Sequence, residues 1–345
     1  MKIAIVGATG YGGAELIRLL NHHPEVEVVS LHSSSQQGTP FTDSYSHLQH
    51  IVDHSLEDIE PAKMAENVDL VFLATPSGIS SKLTPQLASE GLKVIDLSGD
   101  LRLKNTDDYE KWYKKSAAPE DIILKSAYGL AEWFKEEVKQ ANIIANAGCY
   151  PTATLLGIAP LVQNNLIEEN SIIVDAKSAV SGAGRSPSPV THFTEMNDNF
   201  KIYKVNQHQH IPEIEQVLNG WNSEIKPISF STHLVPMSRG IMATIYASAK
   251  TATTTVDLIN LYKEIYADCP FVRVRPQGHF PSTKEVYGSN YCDIGIAYDE
   301  RTNRIMIVSV IDNLVKGAAG QAIQNLNIML GIDERTGLNF VPVYP

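Results

Sequence analysis

The residue types most able to do chemistry crowd into Asn146-Ala147-Gly148-Cys149-Tyr150-Pro151-Thr152-Ala153. Residues 142–146 form a short apolar run of strand type, and Pro151 with Thr152, Ala153, Leu155 and Leu156 reads as the start of a helix. Cys149 is therefore expected in a tight turn where a strand gives way to a helix N-terminus. Unpaired N–H groups and the positive end of the helix dipole at such a place favour a thiolate over a thiol. They also suit an oxyanion forming on a carbonyl that the sulfur attacks. Free cysteines are more often small buried hydrophobes, but a core position needs neither the preceding glycine nor a helix end. Cys149 is read as a nucleophile.

A nucleophilic thiol needs an acid or base beside it. The best candidates lie in Gln207-His208-Gln209-His210-Ile211-Pro212-Glu213. In an extended segment the two rings face opposite sides, so that one enters a cleft and the other is structural. His208 is preferred for catalysis, with His210 as the other candidate. His-x-His also suggests a metal pair, but no third or fourth ligand stands at a suitable spacing, so no metal is expected. Arg239, between two strand-like runs, and Arg102, just past Ser98-Gly99-Asp100, are guanidinium groups able to pair with a carboxylate or phosphate. The alternatives are an internal ion pair for Arg239 and an ordinary surface position for Arg102.

The elements that must position these groups begin at the N-terminus. The apolar run 2–6 leads into Gly7-Ala8-Thr9-Gly10-Tyr11-Gly12-Gly13, then a helical pattern over 14–20 and a second strand over 26–31. Glycines at 7, 10 and 13 follow a strand and open a helix within about 30 residues, which is the context of the dinucleotide fingerprint. Small residues let the backbone approach a pyrophosphate, and the helix N-terminus supplies donors. Gly7, Thr9, Gly10, Tyr11, Gly12 and Gly13 are the expected cofactor contacts. NAD-binding proteins tend to place a carboxylate after the second strand; here the residues are His32-Ser33-Ser34-Ser35-Gln36-Gln37. Without an acidic group to repel a 2′-phosphate, and with Ser33, Ser34 and Ser35 as donors, the preference is for NADP, the alternative being a solvated polar loop.

Further strands at 69–74 and 93–97 end in small-residue loops, whose carboxyl ends line the ligand crevice of a doubly wound sheet. Residues 107–139 read as helix or loop, with Tyr128-Gly129-Leu130 inside. After Cys149 strand-like runs outnumber helices (172–175, 228–235, 241–246, 294–298, 305–310), which predicts a mixed, largely antiparallel sheet. Between them the glycine-rich loop 178–185 suits backbone contact with substrate. Helices are expected over 256–268 and 313–330.

Six blocks together resemble one family: Gly7 to Gly13, Val94 to Arg102, Asn146 to Thr152, Ser181 to Arg185, His208 to Ile214 and Asp312 to Gln321. The whole chain looks like the N-acetyl-gamma-glutamyl-phosphate reductases of arginine biosynthesis, related in architecture to aspartate-semialdehyde and glyceraldehyde-3-phosphate dehydrogenases. One departure is Gln209, where arginine is common in the family. The resemblance implies an α/β fold with a Rossmann-type parallel-sheet dinucleotide-binding domain (1–148 and 313–345) and an α+β mixed-sheet catalytic domain (149–312). It implies NADPH-dependent reduction of an acyl phosphate to an aldehyde through a thioester on Cys149, with His208 as acid/base. It also implies cofactor contacts from Ser181, Gly182 and Asn313, substrate contacts from Arg102, Asn146 and Arg239, and a homodimer or homotetramer. The rival within the fold is a reductase of aspartyl phosphate or of carrier-bound aminoadipyl phosphate.

Composition agrees with an enzyme. The chain has 345 residues, enough for two domains, with 43% hydrophobic and 19% charged residues. A net charge of −11 with no basic cluster excludes nucleic acid as the natural partner. No apolar run is long enough to span a membrane, and the N-terminus reads as a first strand. Three widely spaced cysteines give no disulfide or zinc pattern, so a cytoplasmic protein with a small-molecule substrate is expected. At neutral pH iodoacetamide should alkylate Cys149 before Cys269 and Cys292. Peptide mass spectrometry reads the order, and slower labelling of Cys149 would contradict its reading as the nucleophile.

Overall fold

Ile3 to Val6 are all buried, as are Leu70 to Leu73, so neither run has a polar face to turn to water. Strands of that kind belong in the middle of a parallel sheet covered on both sides. The computed structural model describes residues 1–345, and the chain divides into two units, Met1–Ala147 with Ala318–Asn339 and Gly148–Gly317 with Phe340–Pro345. The first unit contains β1 (Lys2–Val6), β2 (Glu27–His32), β3 (Leu56–Glu57), β4 (Leu70–Leu73), β5 (Lys93–Asp96), β6 (Ser126–Gly129) and β7 (Ile143–Asn146). They form one sheet in the order β3-β2-β1-β4-β5-β7-β6, every neighbouring pair parallel. Its helices are α1 (Tyr11–Leu20), α2 (Pro61–Ala65), α3 (Ser80–Ser89), α4 (Thr106–Tyr113), α5 (Glu120–Lys125) and α6 (Lys135–Gln140).

The second unit is built on α7 (Cys149–Gln163), in which every residue from Tyr150 to Val162 is buried. A helix apolar all round is the centre of a core. It packs on a seven-stranded mixed sheet of β8 (Ile173–Ala179), β9 (Lys201–Tyr203), β10 (Ser229–Val235), β11 (Ile241–Ser248), β12 (Val272–Val274), β13 (Cys292–Asp299) and β14 (Arg304–Ile311), in the order β12-β13-β14-β11-β8-β10-β9. Only β12–β13 and β8–β10 are parallel pairs. The remaining helices are α8 (Phe193–Met196), α9 (His210–Trp221), α10 (Thr255–Ile265) and, back in the first unit, α11 (Gly320–Leu330). No helix is long and apolar enough to cross a membrane.

Several expectations shift. Strand β6 lies where helix or loop was expected; four residues ending in glycine carry too little pattern to announce a strand. The tail helix begins at Gly320 and not at 313, preceded by a π-helical turn over Val315–Ala319. Residues 313–317 and 340–345 group with the second unit, not the first. Asn313 accepts from Gly240 N (2.8 Å), and Val343 N bonds Tyr287 O (2.9 Å), which ties both stretches there.

Helix α7 contains Pro160, whose missing N–H leaves the carbonyl of Leu156 without its helical partner. The hydroxyl of Tyr266, just past α10, donates to that carbonyl at 2.6 Å, and Tyr262 OH donates to the next one, Gly157 O, at 2.6 Å. Tyr266→Phe should therefore cost about 1–3 kcal/mol, the penalty for a buried carbonyl left unpaired. Urea unfolding measures it, and an unchanged midpoint would contradict this account of how the helix tolerates its proline.

Candidate active site

Helix α7 starts at Cys149 itself, with Gly148 as N-cap in an extended conformation and Pro151 at the third helical position. The cysteine is partly exposed, and Cys292 is buried. Gly317 backs onto it: a Cβ at that glycine would lie 2.8 Å from Cys149 Cβ, so the close approach requires glycine.

The two histidines do not lie on an extended strand. His210 is the first residue of α9, and the ring centroids of His208 and His210 are 5.0 Å apart. This overturns the expectation that they face opposite sides, because the chain turns into a helix between them. It also reverses the preference for His208. Cys149 is among the groups that raise the pKa of His210, whose Nδ1 lies 2.8 Å from Glu213 Oε2. His208 Nδ1 instead accepts from the backbone N–H of His210 (3.2 Å), and its Nε2 faces Tyr203 OH at 3.5 Å. Glu213 was not singled out from the sequence. It is 0% exposed, and its Oε1 accepts from Gly148 N at 2.8 Å. Its spacing of three residues from His210, on one helix face, was the available signal.

Electrostatics separate the two rings. Burial and the positive charges of His210 and Lys204 push His208 down to about 2, so it stays neutral. Burial pulls His210 down as well, but the Glu213 carboxylate and the hydrogen bond with Cys149 outweigh it, and its pKa is raised. Tyr150, edge-on to both rings, bonds Tyr203 OH at 3.1 Å, and burial pushes Tyr203 up to about 12.

The expected substrate ligands are placed less simply. Asn146 is buried, with Nδ2 donating to Ala318 O (3.1 Å) and Oδ1 accepting from Asn325 (2.9 Å). Its side chain is a structural tie within the first unit, not an open substrate contact. Arg102 is buried too, donating from Nε to Asn146 O (2.7 Å) and from Nη2 to Leu97 O (2.9 Å). Part of its fork therefore braces the ends of β5 and β7, which corrects the expectation of a guanidinium wholly open to an anion. Arg239 lies between β10 and β11, with Nη1 3.5 Å from Asp312 and its guanidinium 5.9 Å from the Tyr287 ring centre. Ser181, Gly182 and Asn313 are brought together: Asn313 donates to Ser181 Oγ at 2.9 Å, and a Cβ at Gly182 would lie 3.8 Å from Asn313 Nδ2.

In the first unit the glycine turn joins β1 to α1. Gly7 has φ of +82°, and a Cβ there would strike Ala74 O at 2.4 Å; one at Gly13 would strike Gly7 O at 2.4 Å. These two are glycine for packing. Gly10 and Gly12 are not, since added Cβ atoms would meet nothing closer than 3.5 and 3.8 Å. Their bare backbone, at a helix N-terminus with no side-chain cap and no acidic residue in its first turn, is the cradle a pyrophosphate needs. Thr9 O is held by Tyr45 OH at 3.0 Å, and Tyr11 is exposed. Ser33 is buried at the end of β2, while Ser34 and Ser35 are exposed. His32 is turned away from them, bonded to Asp58 O (2.6 Å) and Ser30 Oγ (2.9 Å). The residues present fit a dinucleotide.

A parallel-sheet nucleotide unit and a mixed-sheet unit carrying cysteine, histidine and a buried carboxylate are the parts of a nicotinamide-dependent dehydrogenase. Residues 2–141 match the family model of the semialdehyde dehydrogenase NAD binding domain, and residues 149–313 that of the semialdehyde dehydrogenase dimerisation domain. The fold is shared with aspartate semialdehyde dehydrogenase II from Vibrio cholerae (TM-score 0.73, 16% identity, 96% of this chain and 98% of that one). It is shared also with aspartate semialdehyde dehydrogenase from Candida albicans, solved with NADP (TM-score 0.71, 18% identity, 95% and 98%). Sequence similarity is far higher to N-acetyl-gamma-glutamyl-phosphate reductases. The chain is 61% identical to that of Geobacillus sp. (strain WCH70) and 59% to that of Bacillus cytotoxicus, over 100% of both chains in each case. The chain belongs to the N-acetyl-gamma-glutamyl-phosphate reductase family, an enzyme family within the semialdehyde dehydrogenases.

The depressed pKa of His208 has a consequence for stability. The unfolded chain binds a proton there near the ordinary 6.5, whereas the folded chain does not until about 2, so acidification through that interval favours unfolding. His208→Asn should remove this contribution, making stability fall less steeply below about pH 6.5, by up to roughly 1.4 kcal/mol per pH unit. Urea titrations of both proteins from pH 7 to pH 5 read the difference, and parallel curves would contradict it.

Proposed function

We propose that the protein reduces N-acetyl-L-glutamyl 5-phosphate to N-acetyl-L-glutamate 5-semialdehyde and phosphate with NADPH, a step of arginine biosynthesis in the cytoplasm. The observation that carries this reading is the Cys149–His210–Glu213 arrangement at the start of α7, in a chain similar over its full length to named reductases of that substrate. A serine-rich, acid-free end of β2 supports NADP over NAD; of the two carboxylates in and just after β3, Glu57 and Asp58, the second is bonded by Gln37.

Cys149 Sγ attacks the acyl carbon while His210 takes the thiol proton through Nε2, since Nδ1 faces Glu213. Backbone N–H groups of the first turn of α7 stabilise the oxyanion, the C–O bond to phosphate breaks, and a thioester remains on Cys149. NADPH, when bound by the glycine turn, supplies a hydride to carbonyl carbon. His210 then returns its proton to sulfur as the C–S bond breaks and the aldehyde leaves. Glu213 keeps the imidazolium paired throughout, so His210 is the acid/base and His208, held neutral, a positioning neighbour. Asn313, Ser181 and Gly182 form a polar cluster suited to the cofactor's amide end, and Arg102 and Arg239 remain the arginines offered to the anionic ends of the substrate. A homodimer or homotetramer is part of the reading. Met242, Thr244 and Tyr246 of β11 are only half-buried, on the side of the sheet opposite α7, which supports association through that face.

Mixing the protein with N-acetylglutamyl phosphate and no NADPH should add one acyl group to the Cys149 peptide, seen by mass spectrometry. Cys149→Ser should abolish turnover, and His210→Ala should slow it by about 10²–10⁴-fold. No adduct, or an adduct elsewhere, would overturn the reading.

A further inference from the structure

We propose that Lys204 is the phosphate ligand of the cysteine site, the side chain that draws the acyl phosphate to Cys149 and holds its leaving group. This rests on the reaction proposed above. The residue follows β9, whose last member, Tyr203, places its hydroxyl 3.1 Å from Tyr150 OH and 3.5 Å from His208 Nε2. From that point the Lys204 side chain crosses to Gln209, the residue joining the two histidines, and Nζ donates to Gln209 Oε1 at 2.8 Å. Its charge reaches the site, because it is among the causes that keep His208 neutral.

What distinguishes Lys204 is what it is paired with. His210 faces Glu213, and Arg239 faces Asp312, so these two cations of the second unit each carry a carboxylate partner. Lys204 faces a neutral amide, which orients the ammonium without cancelling its charge. In a chain of net charge −11, a local uncancelled cation is what an anionic substrate needs to approach and bind. The backbone agrees: Lys204 has φ of +47°, in the left-handed region where glycine is favoured, yet a long cationic side chain stands there.

The test runs the reaction backward on the full-length protein, with the semialdehyde, NADP and inorganic phosphate. Lys204→Met should raise KM for phosphate about tenfold or more, the cost of losing one charged hydrogen bond, with KM for NADP unchanged. Lys204→Arg should restore most of the loss. Lys204→Gly suits the left-handed backbone, so it should keep or raise Tm while losing phosphate affinity as Met does; a merely structural lysine would leave the kinetics alone. Independently of turnover, inorganic phosphate should protect Cys149 from iodoacetamide in the wild type and not in Lys204→Met. Unchanged phosphate KM and protection, or a rise in KM confined to the aldehyde, would overturn the assignment of Lys204. Absence of any phosphate-dependent turnover in the wild type, with protection intact, would instead overturn the substrate proposed above and leave the phosphate site standing.

Discussion

Glu213 is the constraint on which the catalytic arrangement turns. Its carboxylate is wholly buried, and a buried charge is tolerable only when its oxygens are satisfied. One oxygen accepts from Gly148 N, the N-cap of the cysteine helix, and the other lies against the imidazole of His210. A single side chain thus locks the backbone before the sulfur to the ring beside it. The same carboxylate raises the proton affinity of that ring against the burial that would lower it. His208, two residues earlier but without a carboxylate, shows the converse, remaining neutral in surroundings otherwise alike. The proton affinity of an imidazole here follows from its partner and not from residue type.

A second polar lattice does for the first unit what Glu213 does for the second. Helix α11 buries Gln321, Gln324, Asn325 and Asn327, and their amides are used as ties. Gln321 and Asn325 both donate to Gly129 O, and Asn325 also holds Asn146. Arg102 grips the carbonyl of Asn146 from the other side. The final residue of β7 is therefore fixed through its carbonyl and both side-chain ends, three positions before the sulfur. Buried networks of this kind, here tied through the amide NH2 groups of Gln321 and Asn325, restrict the chain to few arrangements. That explains why residues that look like ligands in the linear chain are structural ties in the folded one.

Much of the architecture was legible in the chain. Runs such as 2–6 and 70–73 are apolar without alternation, which only a covered parallel strand explains, and the alternation in 241–248 marks a sheet with one face buried. The glycine turn and the cysteine turn were legible because glycine between a strand and a helix has a steric reason. Gly7 and Gly13 confirm it through contacts that no side chain could share. Strand β6 was not legible, being too short for periodicity, nor was the π-helical turn that delays α11, since nothing local distinguishes it from a helix start.

The sequence by itself determined the nucleotide turn, the turn that carries Cys149 and the two-domain plan, because each is written in neighbouring residues whose geometry is local. The tertiary structure decided which histidine is paired with a carboxylate, which carboxylate that is, and which polar side chains are ties. Those roles depend on partners as far as 196 residues apart, as between Gly129 and Asn325, and on burial, which sets the charge of a group. Spacing along the chain records only local pairs such as His210 and Glu213, since distant partners and burial exist only once remote segments share one low-dielectric interior.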